Sequence, residues 1–410
     1  MSEWKEVRIK NSSIEIIDGD RSSKYPKREE FLNEGVIFLN AASISGNCLK
    51  IENVNFISQN KFDSIKKGKV IGGDLIMTTR GNGVGDVAYY SDKNGLALIN
   101  AQMLILRTNQ IDINSKFLYY LFNSNEYKEE FINYSSGSAQ PQLPISSLKE
   151  IPIKYPPLPT QQRIASILSA YDDLIENNLK RIKLLEEIAQ RTYEEWFVKF
   201  RINGVQLEVS ENGLPEGWET ILVKDYVSII SKGPSLNYEY SGTKYPVINQ
   251  SCIRNGEIEL EKVLYAQELS ENKNHCYLKI NDILINSMGQ GTLGRVSKNI
   301  SIEDKFIIHN CITFLRAKPN FSQHQLFYFI SSKQSYFESV AQGSTGQTTL
   351  KVSLIEELEI NLPLPHIIKS FNNHIEQIWK QEGKLKNQNR LLKESRDILL
   401  PRLMSGKVGV

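Results

Sequence analysis

The sequence predicts an α+β fold built twice: two similar strand-rich α/β domains separated by two long helices that pair as an antiparallel coiled coil, the halves related by an approximate two-fold axis. Three observations predict it. The 410-residue chain repeats itself with a period of about half its length. Each copy ends in a proline-rich stop. After each stop runs a heptad pattern of about 35 residues.

Six blocks carry the repeat. Trp4-Lys5-Glu6-Val7 answers to Trp218-Glu219-Thr220-Ile221, and Val36-Ile37-Phe38-Leu39-Asn40 to Tyr245-Pro246-Val247-Ile248-Asn249. Gly73-Asp74-Leu75-Ile76, with Gly81-Asn82-Gly83 behind it, answers to Asn281-Asp282-Ile283-Leu284 and Gly289-Gln290-Gly291. Leu118-Tyr119-Tyr120-Leu121 matches Leu326-Phe327-Tyr328-Phe329, Gln140-Pro141-Gln142-Leu143 matches Gln347-Thr348-Thr349-Leu350, and Pro157-Leu158-Pro159 matches Pro363-Leu364-Pro365. The offset is 208 at Gly81/Gly289 and still 206 at Pro157/Pro363. Chance does not hold one register that long.

Within each copy, short β-branched and aromatic runs broken by Gly, Asn, Asp and Pro predict strands. One helix is expected around 116–134 in the first copy and 323–341 in the second. The stops, Tyr155-Pro156-Pro157-Leu158-Pro159 and Leu362-Pro363-Leu364-Pro365, suit a helix start and disfavour helix just before it. The expected division is therefore residues 1–159, a first domain; 160–200, a central spacer helix; 201–217, a linker; 218–365, a second domain; 366–403, a C-terminal spacer helix; and 404–410, a tail.

In the central helix, Ile164, Leu168, Tyr171, Ile175, Asn178, Ile182, Leu185, Ala189, Thr192 and Trp196 step by four and three. Phe371, Ile375, Ile378, Glu382, Leu385, Asn389, Leu392, Arg396 and Leu399 do the same in the second helix. Such seams want a partner along their whole length, and a polar seam residue (Asn178, Asn389) fixes register at some cost in stability. At 1.5 Å per residue each run spans about 50 Å, too long to bury on one small domain. Pairing the helices with each other satisfies both seams. At the ends of the runs, Tyr193, Trp196, Phe197 and Phe200 are expected in a domain core, with part of the cluster open to a partner subunit.

Bulk composition narrows the function classes. A 40% hydrophobic, 23% charged chain folds around real cores. No apolar run reaches the roughly 18 residues of a membrane span, and Met1-Ser2-Glu3-Trp4-Lys5 does not read as a signal peptide. Cys48, Cys252, Cys276 and Cys311 form no Cys-x-x-Cys pair, so reduced thiols in a cytoplasmic protein are expected, without a zinc site. A net charge of +2 means that any DNA-binding basicity is concentrated on one face or borrowed from a partner.

Two similar heads on a rigid bar suit a long ligand offering two sites at a fixed distance. DNA fits, since half-sites one turn apart lie about 34–36 Å from each other. Heads that differ in sequence would read a split, asymmetric site. The glycine loops let backbone approach a ligand, and Arg80 and Asn82 in one copy, with Gln290 and Arg295 in the other, suit base edges or phosphates. The small, amide-rich segments 136–142 and 343–349 supply Ser138, Gln140 and Gln142, then Thr345, Gln347 and Thr348, as groove contacts. Lys232, in Ser231-Lys232-Gly233-Pro234-Ser235, reads as part of a turn or as a backbone clamp. Tight turns between strands compete with DNA contact at the glycine loops. A solvated face competes with phosphate contact at Lys61, Lys66, Lys67 and Lys69.

Catalytic patterns are missing. No Gly-Lys-Ser/Thr follows either glycine loop, so neither reads as a nucleotide-binding loop. Tyr155-Pro156-Pro157-Leu158 lacks the Asn or Asp and the aromatic of an amino-methyltransferase motif. The five histidines show no metal-ligand pairing.

The whole arrangement resembles the specificity subunit of type I restriction–modification enzymes. The resemblance rests on Gly73-Asp74-Leu75-Ile76 with its glycine loop, Gln140-Pro141-Gln142-Leu143 before Ile151-Pro152-Ile153, Pro156-Pro157-Leu158-Pro159-Thr160-Gln161-Gln162-Arg163-Ile164, and Leu399-Leu400-Pro401-Arg402-Leu403-Met404-Ser405-Gly406. It implies target-recognition domains that each read one half of a bipartite double-stranded DNA site. It also implies a helical ruler that docks two adenine-methyltransferase subunits, joined for restriction by ATP-dependent translocase–nuclease subunits. Methyl donor and ATP would be bound by those partners, leaving this chain without cofactor, metal or catalytic residue. The DNA-reading half of a related type II-like or other phage-defence methyltransferase system, and a coiled-coil protein scaffold, are the alternatives.

Overall fold

A computed structural model describes the chain except residues 1–3, 52–53, 82, 138–140, 237, 240–244, 255, 267–274, 290, 301, 303–304 and 341–348, and except the side chains at 238–239. Two compact units emerge, 1–177 with 389–410 and 178–388. Each contains one strand-rich body and a segment of both long helices.

In unit 1 the strands Glu15–Asp18, Met103–Arg107, Leu75–Thr78 and Val87–Tyr89 form an antiparallel sheet in that spatial order. A second sheet orders Asn55–Ile57, Val36–Leu39, Ala97–Ile99 and Lys69–Val70, its central pair parallel. Leu75–Thr78 and Val36–Leu39 are buried along their whole length, which is why they read as continuous apolar runs rather than alternating ones. Lys5–Arg8 pairs with Pro152–Tyr155, closing the body just before the central helix.

Unit 2 repeats this plan. Val227–Lys232, Ile312–Ala317, Ile283–Asn286 and Val296–Lys298 form the antiparallel sheet, and Glu219–Leu222 pairs with Glu359–Leu362. Tyr245–Ile248 lies parallel to Ile307–Ile308. The edges of this second sheet differ between the units: Tyr238–Glu239 joins one edge in unit 2, where unit 1 carries Lys69–Val70 on the other.

A buried Asp–Arg pair recurs at equivalent places. Asp74 accepts from Ile71 N at 2.8 Å and pairs with Arg107 at 2.8 Å, while Asp282 accepts from Lys279 N at 2.8 Å and pairs with Arg316 at 2.6 Å. The residue before each aspartate turns the chain into the strand at positive φ, Gly73 at 89° and Asn281 at 71°. These are residue types that tolerate that conformation.

The long helices are Leu158–Tyr193, which continues as a π turn over Glu194–Val198, and Pro365–Met404. Every residue of both expected seams is buried or half-buried. In unit 1, Ile164 and Leu168 share a core with Leu403 and Met404, and Asp172 pairs with Arg396 at 2.6 Å. In unit 2, Glu186 faces Lys386 at 4.0 Å, and Trp196 packs on Phe371. Within each unit, partner numbers fall as those on the central helix rise, so the segments run antiparallel.

The stretch expected as one helix in each copy holds two, and short helices at Gln59–Ser64 and Ile145–Glu150 in unit 1, with Val223–Tyr226 and Val352–Glu356 in unit 2, add to them. Ser115–Phe122 and Asn125–Asn133 are separated because Ser124 is extended, and the Asn123 amide donates to Val87 O and Tyr119 O. Gln323–Ser332 and Gln334–Val340 break at Lys333. Neither break carries Gly or Pro, so periodicity alone ran through it.

Gln161, from the helix-start motif, is fully buried. Its amide donates to Asp112 O and Pro156 O, each at 2.8 Å, and its oxygen accepts from Asn114 N at 2.9 Å. It fastens the helix start to the body of unit 1. Gln161→Leu removes all three hydrogen bonds, one to a buried and two to half-buried backbone groups, and should cost about 3 kcal/mol in urea melts; a loss below about 1 kcal/mol would contradict this role.

Candidate nucleic-acid interface

In unit 1 the buried strands Leu75–Thr78 and Val87–Tyr89 project the glycine loop beyond the sheet. Thr78 N donates to Asp86 O and Gly85 N to Thr78 O, each at 3.0 Å, closing its base. Gly85 has φ 84°, and a Cβ there would sit 2.9 Å from that of Phe131, so this turn admits only glycine without rearrangement. The distant amide-rich segment comes to the same place. Gln142 and Ser136 exchange backbone hydrogen bonds at 2.8 Å, Gly81 N donates to Pro141 O at 3.0 Å, and Leu143 N to Thr79 O at 2.9 Å. Arg80 and Gln142 face each other in a β-bridge, both half-buried. Two loops that the sequence singled out separately form one surface.

Unit 2 reproduces it. Asn286 N donates to Arg295 O at 2.9 Å, Gly294 N to Asn286 O at 2.8 Å, and Leu350 N to Ser287 O at 2.9 Å, with Met288 bridging Thr349. The side chains differ at matching places: Arg80 becomes Met288, Asp86 becomes Arg295, and Gln142 becomes Thr349. The Arg295 guanidinium donates to Gly291 O at 2.8 Å within its own loop. Burial pushes the Asp86 carboxyl above its ordinary value, against the pull of Lys128. The two surfaces share a backbone and present different chemistry.

Lys232 ends its strand in register with Thr313, which pairs in turn with Ile285, two residues before Ser287. It therefore lies at the loop end of the sheet, where burial lowers its ammonium pKa. Beyond it, a Cβ on Gly233 would fall 1.7 Å from Ile308 O, so the glycine there serves close strand packing. The expected contacts Asn82, Ser138, Gln140, Gln290, Thr345, Gln347 and Thr348 lie outside the described residues. In the basic run, Lys61 pairs with Glu30 at 2.8 Å and Lys69 sits 4.5 Å over Phe62; Lys66 and Lys67 are exposed.

Tyr193, Trp196 and Phe197 are buried in the unit 2 core with Phe200 packed against it, so that cluster offers no docking surface. Exposed apolar side chains lie elsewhere on the helices, off the seam. Ile167 and Leu174 on the central helix with Leu391 and Ile398 on the C-terminal helix belong to unit 1, and Leu179, Leu184 and Ile188 belong to unit 2. The heptad spacing of 167, 174 and 188 is present in the sequence beside the stronger seam.

Among the described residues no group of three or more His, Cys, Asp or Glu is arranged to hold a metal ion. The His309–Cys311 pair, at 3.2 Å, is buried; burial pushes the thiol up to about 11 and the imidazole below its ordinary value. That thiol is not primed as a nucleophile. Among the described residues no helix is long and apolar enough to cross a membrane.

These features define a duplicated α+β protein that presents a matched pair of loop surfaces on a framework of paired helices. The chain belongs to the type I restriction modification DNA specificity family, whose domain matches residues 1–187 and again 215–391. It is 25% identical to the type I restriction enzyme HindI specificity subunit of Haemophilus influenzae over the full length of both chains. It is 28% identical to the MjaIX specificity subunit of Methanocaldococcus jannaschii over 72% of this chain and 69% of the relative. Its fold is similar to the crystal structure of the type I restriction–modification S subunit from M. genitalium, with TM-score 0.60, 16% identity and coverage of 98% and 96% of the two chains.

Proposed function

We propose that the chain is the non-catalytic DNA-reading subunit of a type I restriction–modification complex. Residues 1–159 and 218–365 act as heads that each read one half of a bipartite site. The helices over 160–200 and 366–403 set the spacer and dock two adenine-methyltransferase subunits, which bind the methyl donor. ATP-dependent translocase–nuclease subunits join them for restriction. The observation that carries this reading is the recurrence of one loop pair on one backbone with different side chains, Arg80, Asp86 and Gln142 against Met288, Arg295 and Thr349. Shared geometry with changed donors and acceptors is what reading two different half-sites requires.

Arg80 and Gln142 with Asn82, Ser138 and Gln140 form the reading set of the first head. Lys232, Arg295, Gln290, Thr345, Gln347 and Thr348 form that of the second. Single-molecule mapping of methylated adenines in cells with and without this chain tests the proposal. A split motif that vanishes with the chain supports it, and an unchanged methylation pattern sinks it. Gln142→Ala should relax one base position of one half-site by about 1–3 kcal/mol. Uniform weakening across all sequences would instead make Gln142 a phosphate contact.

A further inference from the structure

The two heads are fastened to their helices by different chemistry. In unit 2 a charge ladder joins them, buried at its inner end and open to solvent at Glu257. Lys298 on the strand Val296–Lys298 pairs with Glu382 of the C-terminal helix at 3.0 Å, with side-chain exposures of 4% and 1%. Glu382 also pairs with Lys386, which reaches Glu257 of the head at 3.1 Å. The Lys298 ammonium lies over the Phe327 and Trp379 rings, at 4.9 and 5.2 Å, and the Trp379 indole donates to the Tyr328 hydroxyl at 3.0 Å. Burial lowers the pKa of Lys298; against the burial that would raise it, the two lysines hold Glu382 below its ordinary value.

Unit 1 builds the same join without this ladder. By strand register Lys298 answers to Tyr89, since Ile283 faces Lys298 as Leu75 faces Tyr89. In the register of the two seams, where Phe371 answers to Ile164 and Ile375 to Leu168, Glu382 falls on Ile175, a buried aliphatic seam residue. There the head is tied instead by Tyr120, whose hydroxyl donates to Asp172 at 2.6 Å, with Arg396 on the other carboxylate oxygen. The join therefore does not need a fully buried ion pair between head and helix: the Arg396–Asp172 pair of unit 1 lies between the two helices and is about 30% exposed. Buried ion pairs add little net stability over apolar packing, yet they are costly to pull apart and demand one geometry. Apolar side chains tolerate small slips that an ion pair does not.

We infer that Lys298 and Glu257 of the head, with Glu382 and Lys386 of the helix, form a clamp that fixes how the second head sits on its helix and so makes the protein strict about the number of base pairs between its half-sites. The inference rests on the two-headed reading above. These four are positioning residues; none is assigned to the DNA.

A genome offers half-sites at every separation, so sequencing methylated adenines from cells carrying Lys298→Met with Glu382→Gln reads strictness directly. Methylation at spacings one base pair longer or shorter should rise about tenfold relative to wild type, with both half-site sequences unchanged. Glu257→Gln with Lys386→Met, which spares the most buried pair, should move the same ratio in the same direction with a smaller loss of folded protein. If both variants keep wild-type strictness, or lose methylation in parallel at every spacing, the clamp is not what sets the spacing. A wild-type protein that methylates half-sites at many spacings would instead overturn the two-headed reading itself.

Discussion

Arg316→Met is expected to destabilise the second head by about 3–5 kcal/mol, a third or more of what holds a typical domain folded. The Asp282 carboxylate is 1% exposed and receives Arg316 Nε at 2.6 Å, a second guanidinium nitrogen at 2.8 Å and the Lys279 amide at 2.8 Å. Burial already holds Asp282 above its ordinary pKa, against the pull of Arg316. The sign of the pH dependence follows. Because the folded value is raised, the unfolded chain ionises first, near pH 4, and this group costs stability as pH rises toward the folded value. Removing Arg316 raises that value further and widens the window. Urea melts should show a larger deficit for the variant at pH 8 than near pH 4, where the unfolded carboxyl takes up its proton as well. A deficit equal at both pH values would mean the loss comes from packing. Arg107→Met should cost less, since that guanidinium is 27% exposed against 14% for Arg316.

Leu174→Glu combined with Leu184→Glu is expected to abolish methylation without unfolding the chain. Both leucines are more than half exposed and stand outside the seam, so neither side chain supports a core. Exposed leucines at helical spacing on a charged surface suit burial against a second protein. If each anchors one docked methyltransferase subunit at about 2 kcal/mol, each subunit's association weakens roughly thirtyfold and assembly with both roughly a thousandfold. The variant should keep its thermal transition yet fail to co-purify with the methyltransferase subunits. Undiminished co-purification would move docking off these two leucines.

The fold was legible because duplication writes the same information twice. Gly73-Asp74 and Asn281-Asp282 share little beyond the aspartate, yet each places a buried Asp–Arg pair at the start of a fully buried strand. The seams were legible because a period of 3.5 has one physical meaning over so many residues. Helix breaks such as Asn123-Ser124 were not, because the amide that ends the helix bonds to Val87, a residue remote in sequence.

At the interface, residue types marked Arg80 and Gln142 separately, and only the Gly81–Pro141 and Leu143–Thr79 hydrogen bonds show that they share a surface. Gln161 stands in the helix-start motif, and nothing in the sequence marks its half-buried partners Asp112 and Asn114. The same holds for Lys298 and Glu382. They are far apart in the chain, and the glutamate on the seam looked like a weak heptad position rather than half of an ion pair.

Exchange of residues 1–155 for the matching segment of a relative that methylates a different motif, followed by single-molecule methylation sequencing, bears most directly on the division of labour between the heads. One half of the methylated motif should change to that of the donor while the other half and the spacing stay as they were. A motif altered in both halves, or in neither, would contradict independent reading by two heads.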